Sequence, residues 1–169
     1  ILLRSKMTAN EAAAISGVQA IATAQETFRR TDWDGDGIFC YAYNNDYLYQ
    51  GYTANEIILI SKPLYLANSA GITPYQGYFY TEAAGYFHGD TFVPRFYYTG
   101  DSKRVVARYG ALAFPQTYML TGINMFARND AGVIFQKDAS LDTYYQTYPC
   151  AMPLWDADGM ELNNWSGIQ

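Results

Sequence analysis

The stretch LLRSKMTANEAAAISGVQAIATAQETF (residues 2–28) decides the fold, because it has the composition and the periodicity of one long helix. It contains no proline and a single glycine, Gly17, and it is rich in alanine, glutamate and glutamine, which favour helices. Residues at three- and four-residue steps share one side of a helix. Here they are Met7, Glu11, Ala14, Val18, Ile21, Gln25 and Phe28. We therefore predict a helix from Leu3 to Arg29, about 40 Å long at about 1.5 Å per residue.

The start of this helix has no capping residue. Ile1, Leu2 and Leu3 come directly before Arg4, and none of them is a Ser, Thr, Asp or Asn that would cap a helix N-terminus. We expect the helix to continue upstream of Ile1. The alternative is a helix that frays at a natural N-terminus.

Beyond Arg30 the sequence changes to turns and short apolar or alternating runs, which predict β-strands. Asn129 and Gly132 bound a hairpin turn, since Asn, Asp and Gly tolerate positive φ. We predict an α+β fold, in which one long N-terminal helix (1–30) packs on an antiparallel sheet within a β-rich head (31–169), as a single domain. The predicted strands are 38–43, 75–83, 92–99, 111–116, 124–129 and 132–138, with a short helix within 54–71.

Composition and charge exclude several classes of function. The chain of 169 residues fits one domain, and its net charge of −5 argues against a protein that coats nucleic acid or anionic lipid. The single histidine, His88, excludes a site with several histidine ligands. Neither a nucleophile elbow nor a glycine-rich phosphate-binding motif occurs. We therefore predict no enzymatic activity and no sequence-specific binding of nucleic acid.

An acidic turn follows the predicted helix and predicts a calcium site. Asp32, Asp34 and Asp36 form D-x-D-x-D-G, the first half of a calcium loop in which alternate carboxylates converge. An EF-hand carries Glu at its twelfth position, where this chain has Tyr43, so the predicted site is not an EF-hand. Asp46 is a further candidate ligand. The alternative is a solvated turn that ends the helix.

Residues 2–28 resemble the segment of bacterial type IV pilins and pseudopilins that directly follows their membrane helix. YQGYFY (75–80) and ALAFPQTYMLTGINMFARNDAGVIFQKD (111–138) resemble the globular domains of the same class. The family's apolar membrane segment, with a glutamate near its start, has no counterpart in these 169 residues. The resemblance covers about half of the chain.

The resemblance implies a structural subunit of an extracellular type IV pilus or pseudopilus, derived from a precursor anchored in the inner membrane. Such filaments serve adhesion, motility, DNA uptake or secretion. The implied partners are other copies of the chain in a helical filament and the pilus or secretion assembly machinery. No cofactor is required, and Ca²⁺ is the one candidate. The residues of the implied assembly helix are Leu3, Met7, Ala14, Val18 and Ile21.

Two further features have more than one interpretation. Cys40 and Cys150 are either two thiols or one disulfide by count alone, and the extracellular location implied by the resemblance favours the bridge. The 17 tyrosines suit strands and subunit contacts, because the ring buries area while the hydroxyl stays hydrated. The alternative function is a secreted calcium- or carbohydrate-binding module with a Tyr-rich surface.

Overall fold

A computed structural model describes residues 1–33, 35–51, 57–68, 73–82, 85–88, 91–94, 109–142 and 164–168. Within these residues the long helix is followed by two short helices, seven strands and one 3-10 turn. The helices are α1 (Leu2–Arg29), α2 (Asn45–Gln50) and α3 (Lys62–Leu66), and the 3-10 turn is Ala139–Leu141. The strands are β1 (Tyr78–Glu82), β2 (Gly85–His88), β3 (Thr91–Pro94), β4 (Gly110–Pro115), β5 (Asn124–Asn129), β6 (Ile134–Asp138) and β7 (Ser166–Ile168).

Five of the strands form one antiparallel sheet in the order β1-β4-β5-β6-β7. The register pairs Tyr80 with Ala113, Ala113 with Phe126, and Phe126 with Gln136. Strands β2 and β3 pair with each other in a separate two-stranded sheet. The prediction of an α+β fold with one long helix and an antiparallel sheet is therefore confirmed.

Helix α1 packs on one face of the sheet, and its apolar side forms the larger core with the strands. Successive side chains of a strand point to opposite faces, so Ala111 and Ala113 of β4 face the helix. The largest fully buried side chains of this core are Tyr78, Tyr80, Phe28, Phe126, Ile21, Leu48 and Val18.

The other face of the sheet is also buried. Leu112 and Phe114, which alternate with the helix-facing residues of β4, pack there with Met125, Phe135 and Trp165. Trp165 directly precedes β7 and is almost completely buried. Both faces of the central strands are therefore covered, which explains why every residue of β4 is buried.

The helix prediction is confirmed to within one residue, since α1 begins at Leu2 and ends at Arg29. Strand predictions at 75–83, 111–116, 124–129 and 132–138 match β1, β4, β5 and β6. The hairpin turn between β5 and β6 is also confirmed, since Gly132 has a φ of 84° and donates to the carbonyl of Asn129 at 3.1 Å. Within 54–71 the predicted short helix is α3, and of the prediction at 92–99 the described residues up to Pro94 belong to β3.

The strand predicted at 38–43 is wrong. The backbone of Ala42 hydrogen-bonds a side chain of the helix instead of a neighbouring strand. The Gln25 amide accepts from Ala42 N at 2.8 Å and donates to Ala42 O at 3.2 Å. The apolar run therefore crosses the end of α1 as an irregular segment, with an isolated bridge residue at Tyr41.

Candidate functional site

The N-terminal turns of α1 are the most exposed apolar part of the described chain. We call residues 1–9 the helix stub. Its residues are exposed except for Met7, which is half-buried. Leu2 and Leu3 are 86% and 48% exposed, and Ile1 is fully exposed. Leucine side chains left in water forgo about 1.5–3 kcal/mol each relative to full burial, so this surface is suited to a partner.

The stub ends where two polar side chains fasten α1 to the sheet. Glu11 accepts hydrogen bonds from the backbone N–H of Ile123 at 2.9 Å and of Asn124 at 3.0 Å. The amide of Asn124 also donates to Glu11, at 3.4 Å. Asn10 donates to the carbonyl of Thr121 at 2.8 Å. We call Asn10 and Glu11 the helix clamp, because they set the point from which the helix is free of the domain.

Close packing beside the clamp depends on a glycine. Gly77 has a φ of +77°, and a Cβ there would lie 2.8 Å from the Asn10 amide nitrogen and 2.9 Å from Thr121. The turn before β1 therefore closes against the clamp from a second direction. Three separate parts of the chain therefore meet at the clamp: α1, the turn at Gly77 and residues 121–124.

The second half of α1 is tied to the domain along its length. Tyr109 donates to the carbonyl of Ala22 at 3.3 Å, and Trp33 donates to that of Phe28 at 2.8 Å. Together with the Gln25 amide pair, these bonds hold the end of the helix that leads into the acidic turn. The helix is consequently fixed from Asn10 to its C-terminus.

The structure divides the predicted assembly residues into two groups. Ala14, Val18 and Ile21 are buried in the chain's own core, so they are not available to a neighbouring subunit. Leu3 is exposed and Met7 is half-buried, and both belong to the stub. Only these two of the five lie where another molecule can reach them.

The acidic turn is organised by its own backbone. The carboxylate of Asp32 accepts from the N–H groups of Gly35 at 2.9 Å, Asp36 at 3.2 Å and Gly37 at 2.8 Å. Asp36 in turn accepts from Ile38 N at 2.8 Å. Among the residues that the structure describes, no three His, Cys, Asp or Glu side chains are grouped as metal ligands.

Among the described residues, Asp46 is not grouped with Asp32 and Asp36 as a set of metal ligands. Asp46 lies in the first turn of α2, where the Asn44 amide donates to it at 3.4 Å. Asp34 lies outside the described residues. The calcium site therefore stays a prediction.

The turn leads into an exposed apolar segment, which we call the far-end loop (residues 35–39). Phe39 is 53% exposed, and Ile38 and Asp36 are exposed as well. Gly35 and Gly37 have φ values of 71° and 82°, a conformation that glycine adopts without strain. This loop lies at the C-terminal end of α1, opposite the stub.

Among the residues that the structure describes, neither the cysteine nor the stacked tyrosine pair forms a binding site. Cys40 is half-buried and Cys150 lies outside the described residues, so the disulfide stays a prediction. The rings of Tyr49 and Tyr65 stack on each other at 4.5 Å, with an interplanar angle of 11°. Because these rings face each other, the pair is a packing contact in which each inner face is covered.

Tyr41 joins the end of α1 to Tyr109, the residue directly before β4. Its hydroxyl accepts from Arg29 at 2.7 Å, and its ring lies 4.7 Å from that of Tyr109. Burial and the nearby Glu26 carboxylate raise the pKa of Tyr41 above its ordinary value, although Arg29 acts in the opposite direction. A neutral, buried phenol of this kind supports packing.

Sequence reasoning placed Glu11 on the inner stripe of the helix but gave it no function. Its partners are 112 and 113 residues away in sequence, so the contact has no local signal. The one available sign was a carboxylate among apolar neighbours on the buried side of the helix. Within the described parts of the chain, no helix combines the length and the hydropathy of a transmembrane span.

The family described as "Protein of unknown function (DUF2950)" matches residues 55–160. This range includes β1 to β6 and leaves α1 outside it. No curated protein and no solved structure matches the chain.

Proposed function

The chain belongs to the DUF2950 family of proteins of unknown function, and we propose that it is a structural subunit of an extracellular filament of the type IV pilus or pseudopilus class. In this proposal it derives from a precursor anchored in the inner membrane. Copies of the chain assemble through α1, with the help of a pilus or secretion assembly machinery. The proposed role needs neither catalysis nor an obligatory cofactor.

One observation carries the proposal. Helix α1 is clamped to the sheet from Asn10 onwards, whereas the nine residues before it present Leu2 and Leu3 to solvent. A helix that is packed on its own domain over most of its length and free at its N-terminal end has apolar side chains for a neighbour as well as for its own sheet. The resemblance of residues 2–28 to the corresponding segment of type IV pilins supports the same assignment.

The proposal predicts two different states. Residues 1–169 alone are monomeric at micromolar concentration, because the stub offers only a few apolar side chains. The protein encoded by the full reading frame, which we expect to continue the helix upstream, polymerises. Stable filaments formed by residues 1–169 alone at micromolar concentration would contradict this division, and light scattering measures it.

The decisive experiment follows the full-length protein in a bacterium that assembles filaments. We expect it in the sheared surface fraction, and we expect Leu3→Asp to remove it from that fraction. Thr8→Asp, at another exposed position of the stub, is the control for introducing a charge. Both variants should leave the melting temperature of residues 1–169 unchanged, since neither residue is buried. An ordinary signal peptide upstream and a secreted monomer would overturn the proposal.

A further inference from the structure

We propose that the far-end loop of one copy is the docking site for the helix stub of the next copy, so that the chain joins copies of itself head to tail. This inference rests on the proposed function and names the surface that a neighbouring subunit occupies. It commits to a second copy of this chain as the partner.

The two surfaces share an apolar character. The stub presents Leu2 and Leu3, and the far-end loop presents Ile38 and Phe39. In each surface the exposed apolar residues are neighbours in sequence, and we call each pair an apolar patch. Burying both patches against each other removes from water side chains that the isolated domain leaves exposed.

The charges of the two surfaces are complementary. The first ten residues carry Arg4 and Lys6 and no acidic residue, a charge of +2, so residues 11–169 carry the net charge of −5 less +2, which is −7. Asp36 is exposed beside Ile38 and Phe39. Opposite charges across an interface steer association and fix its register.

Two arginines lie close to the loop and reduce its negative charge without cancelling it. Arg29 and Arg30 end α1, and residues 29–39 contain these two cations and three aspartates, a net charge of −1. Arg29 donates to the Tyr41 hydroxyl at 2.7 Å, which holds its guanidinium against the domain. Asp36 is exposed at the surface of the loop, where its carboxylate accepts from Ile38 N at 2.8 Å.

The positions of the two patches determine the type of contact. They lie at opposite ends of the 28 residues of α1, about 42 Å apart at about 1.5 Å per residue. The stub of a chain therefore cannot reach its own loop. A contact between two different patches is heterologous, and its repetition gives an open polymer with a direction.

The loop is organised before any partner arrives. Three backbone N–H groups donate to Asp32, and Ile38 N donates to Asp36, so the turn is closed by its own hydrogen bonds. An interface loop that is already ordered loses little conformational entropy on binding. Ile38 and Phe39 follow this turn directly and are held at the surface.

Photo-cross-linking on the complete 169-residue chain tests the contact. The photoreactive amino acid p-benzoylphenylalanine replaces Phe39. The protein is held at about 1 mM, which is similar to the effective concentration that two linked partners experience. We expect a cross-linked dimer whose linked peptide contains residues 1–9 of the second copy. The same amino acid in place of Leu141, which is similarly exposed, is the control and should not capture that peptide.

Charge reversal makes the test specific. We expect Arg4→Glu with Lys6→Glu in one chain, or Asp36→Lys in the other, to lower the yield about threefold or more when each is used alone. Mixing the two reversed chains should restore it, because the charges are complementary again. Asp36→Asn removes the negative charge but keeps an acceptor for Ile38 N. Its cross-linking yield therefore shows the effect of the charge while the turn is kept. If the mixture gives no higher yield of cross-linked dimer than either variant alone, the proposal is overturned.

The outcomes separate this inference from the filament proposal. If the full-length protein forms filaments and the cross-link at residue 39 never contains residues 1–9, head-to-tail docking is wrong and the filament proposal stands. If head-to-tail dimers form and the full-length protein never forms a filament, docking stands and the filament proposal is wrong. If residue 39 links no second copy in either preparation, docking is wrong.

Discussion

Gly17 of α1 lies directly against the ring of Tyr80 of β1. A Cβ added at Gly17 would overlap Tyr80 Cε1 and would lie 2.6 Å from the Tyr80 hydroxyl oxygen. A glycine inside a helix costs about 1 kcal/mol relative to alanine. Here that cost is offset by the close approach of the helix to the edge of the sheet, which leaves Tyr80 with no exposed surface.

We expect Gly17→Ala to lower the free energy of unfolding by about 1–3 kcal/mol, because overpacking outweighs the gain in helix propensity. Urea denaturation measures the change. Ser16→Ala, at an exposed position of the same turn, is the control and should change stability little. The loss should shrink when Tyr80 is also replaced by Leu, which makes room for the methyl group. A Gly17→Ala protein more stable than the wild type would contradict this account.

Two tyrosines of β1 should respond in opposite ways to removal of the hydroxyl. Tyr80 has a buried hydroxyl without a hydrogen-bond partner in the described part of the chain, and burial raises its pKa. Tyr78 is equally buried and donates to the carbonyl of Asn124 at 2.8 Å. Tyr80→Phe should be neutral or stabilising by up to about 1 kcal/mol, whereas Tyr78→Phe should cost about 1 kcal/mol. Equal effects in thermal unfolding would show that the two hydroxyls do not differ as described.

The helix clamp can be tested by removing its carboxylate. Glu11→Ala leaves the N–H groups of Ile123 and Asn124 without their acceptor, which should cost about 1.5–3 kcal/mol. Amide hydrogen exchange in residues 3–9 should become faster, because fraying of α1 then extends past Asn10. Glu26→Ala, which alters the other end of the same helix, should leave that exchange unchanged. If both variants accelerate exchange equally, Glu11 does not set the point where the helix becomes free.

Asp138 gives a prediction about pH. Slight burial acts to raise the pKa of its carboxyl, but hydrogen bonds from the Ser140 hydroxyl and N–H and from Tyr118 outweigh it and hold the pKa below its ordinary value. A carboxylate with a lowered pKa stabilises the fold above its unfolded pKa of about 3.9, and this contribution is lost as the pH falls through the folded pKa.

Ser140→Ala should therefore raise the pKa of Asp138 towards its ordinary value and reduce stability above about pH 4. NMR titration of the Asp138 carboxyl carbon measures the pKa directly. Ser16→Ala, which is remote from Asp138 in sequence and lies on α1, is the control. An unchanged titration in Ser140→Ala would show that the hydroxyl does not stabilise the ionised form.

The predicted calcium site can be tested by comparing the thermal stability of the protein with and without calcium. Asp32 already accepts three backbone N–H groups, so a cation must share that carboxylate, and we expect a dissociation constant of about 10⁻⁴–10⁻³ M. At about ten times this concentration the gain in stability is about 1.4 kcal/mol. A thermal melt in about 5 mM calcium against chelator measures it, and Asp34→Ala should abolish the difference. Identical responses of wild type and variant would show a solvated turn.

The sequence predicted the parts of the fold that depend on local pattern. Helix α1 and strands β4 and β5 follow from periodicity and composition, and their observed bounds differ from the predicted ones by at most one residue. Helix α2 was missed because its signal is brief: the Asn44 side chain caps it by accepting from Tyr47 N at 3.3 Å. Strand β7 was missed because Ser166–Ile168 becomes a strand only through pairing with β6.

The candidate site was predictable only where it depends on single stretches of sequence. The apolar, uncapped start of α1 and the acidic turn were identified from residue types. The clamp was not, because it joins Glu11 to Ile123 and Asn124 across more than 100 residues. Burial of Ala14 and Val18 in the chain's own core likewise depends on which strands lie beneath the helix.

The clamp also determines how the domain carries mechanical load. Glu11 is bonded to the first residue of β5, and β5 is the middle strand of the five, with β4 on one side and β6 on the other. Tension applied along α1 from its N-terminal end therefore enters the sheet at its centre. At this position the force is distributed over two sets of antiparallel hydrogen bonds, those between β5 and β4 and those between β5 and β6, before it reaches an edge strand. If the chain is a subunit of a filament, as we propose, a pull along α1 would therefore reach the central strand of the sheet first.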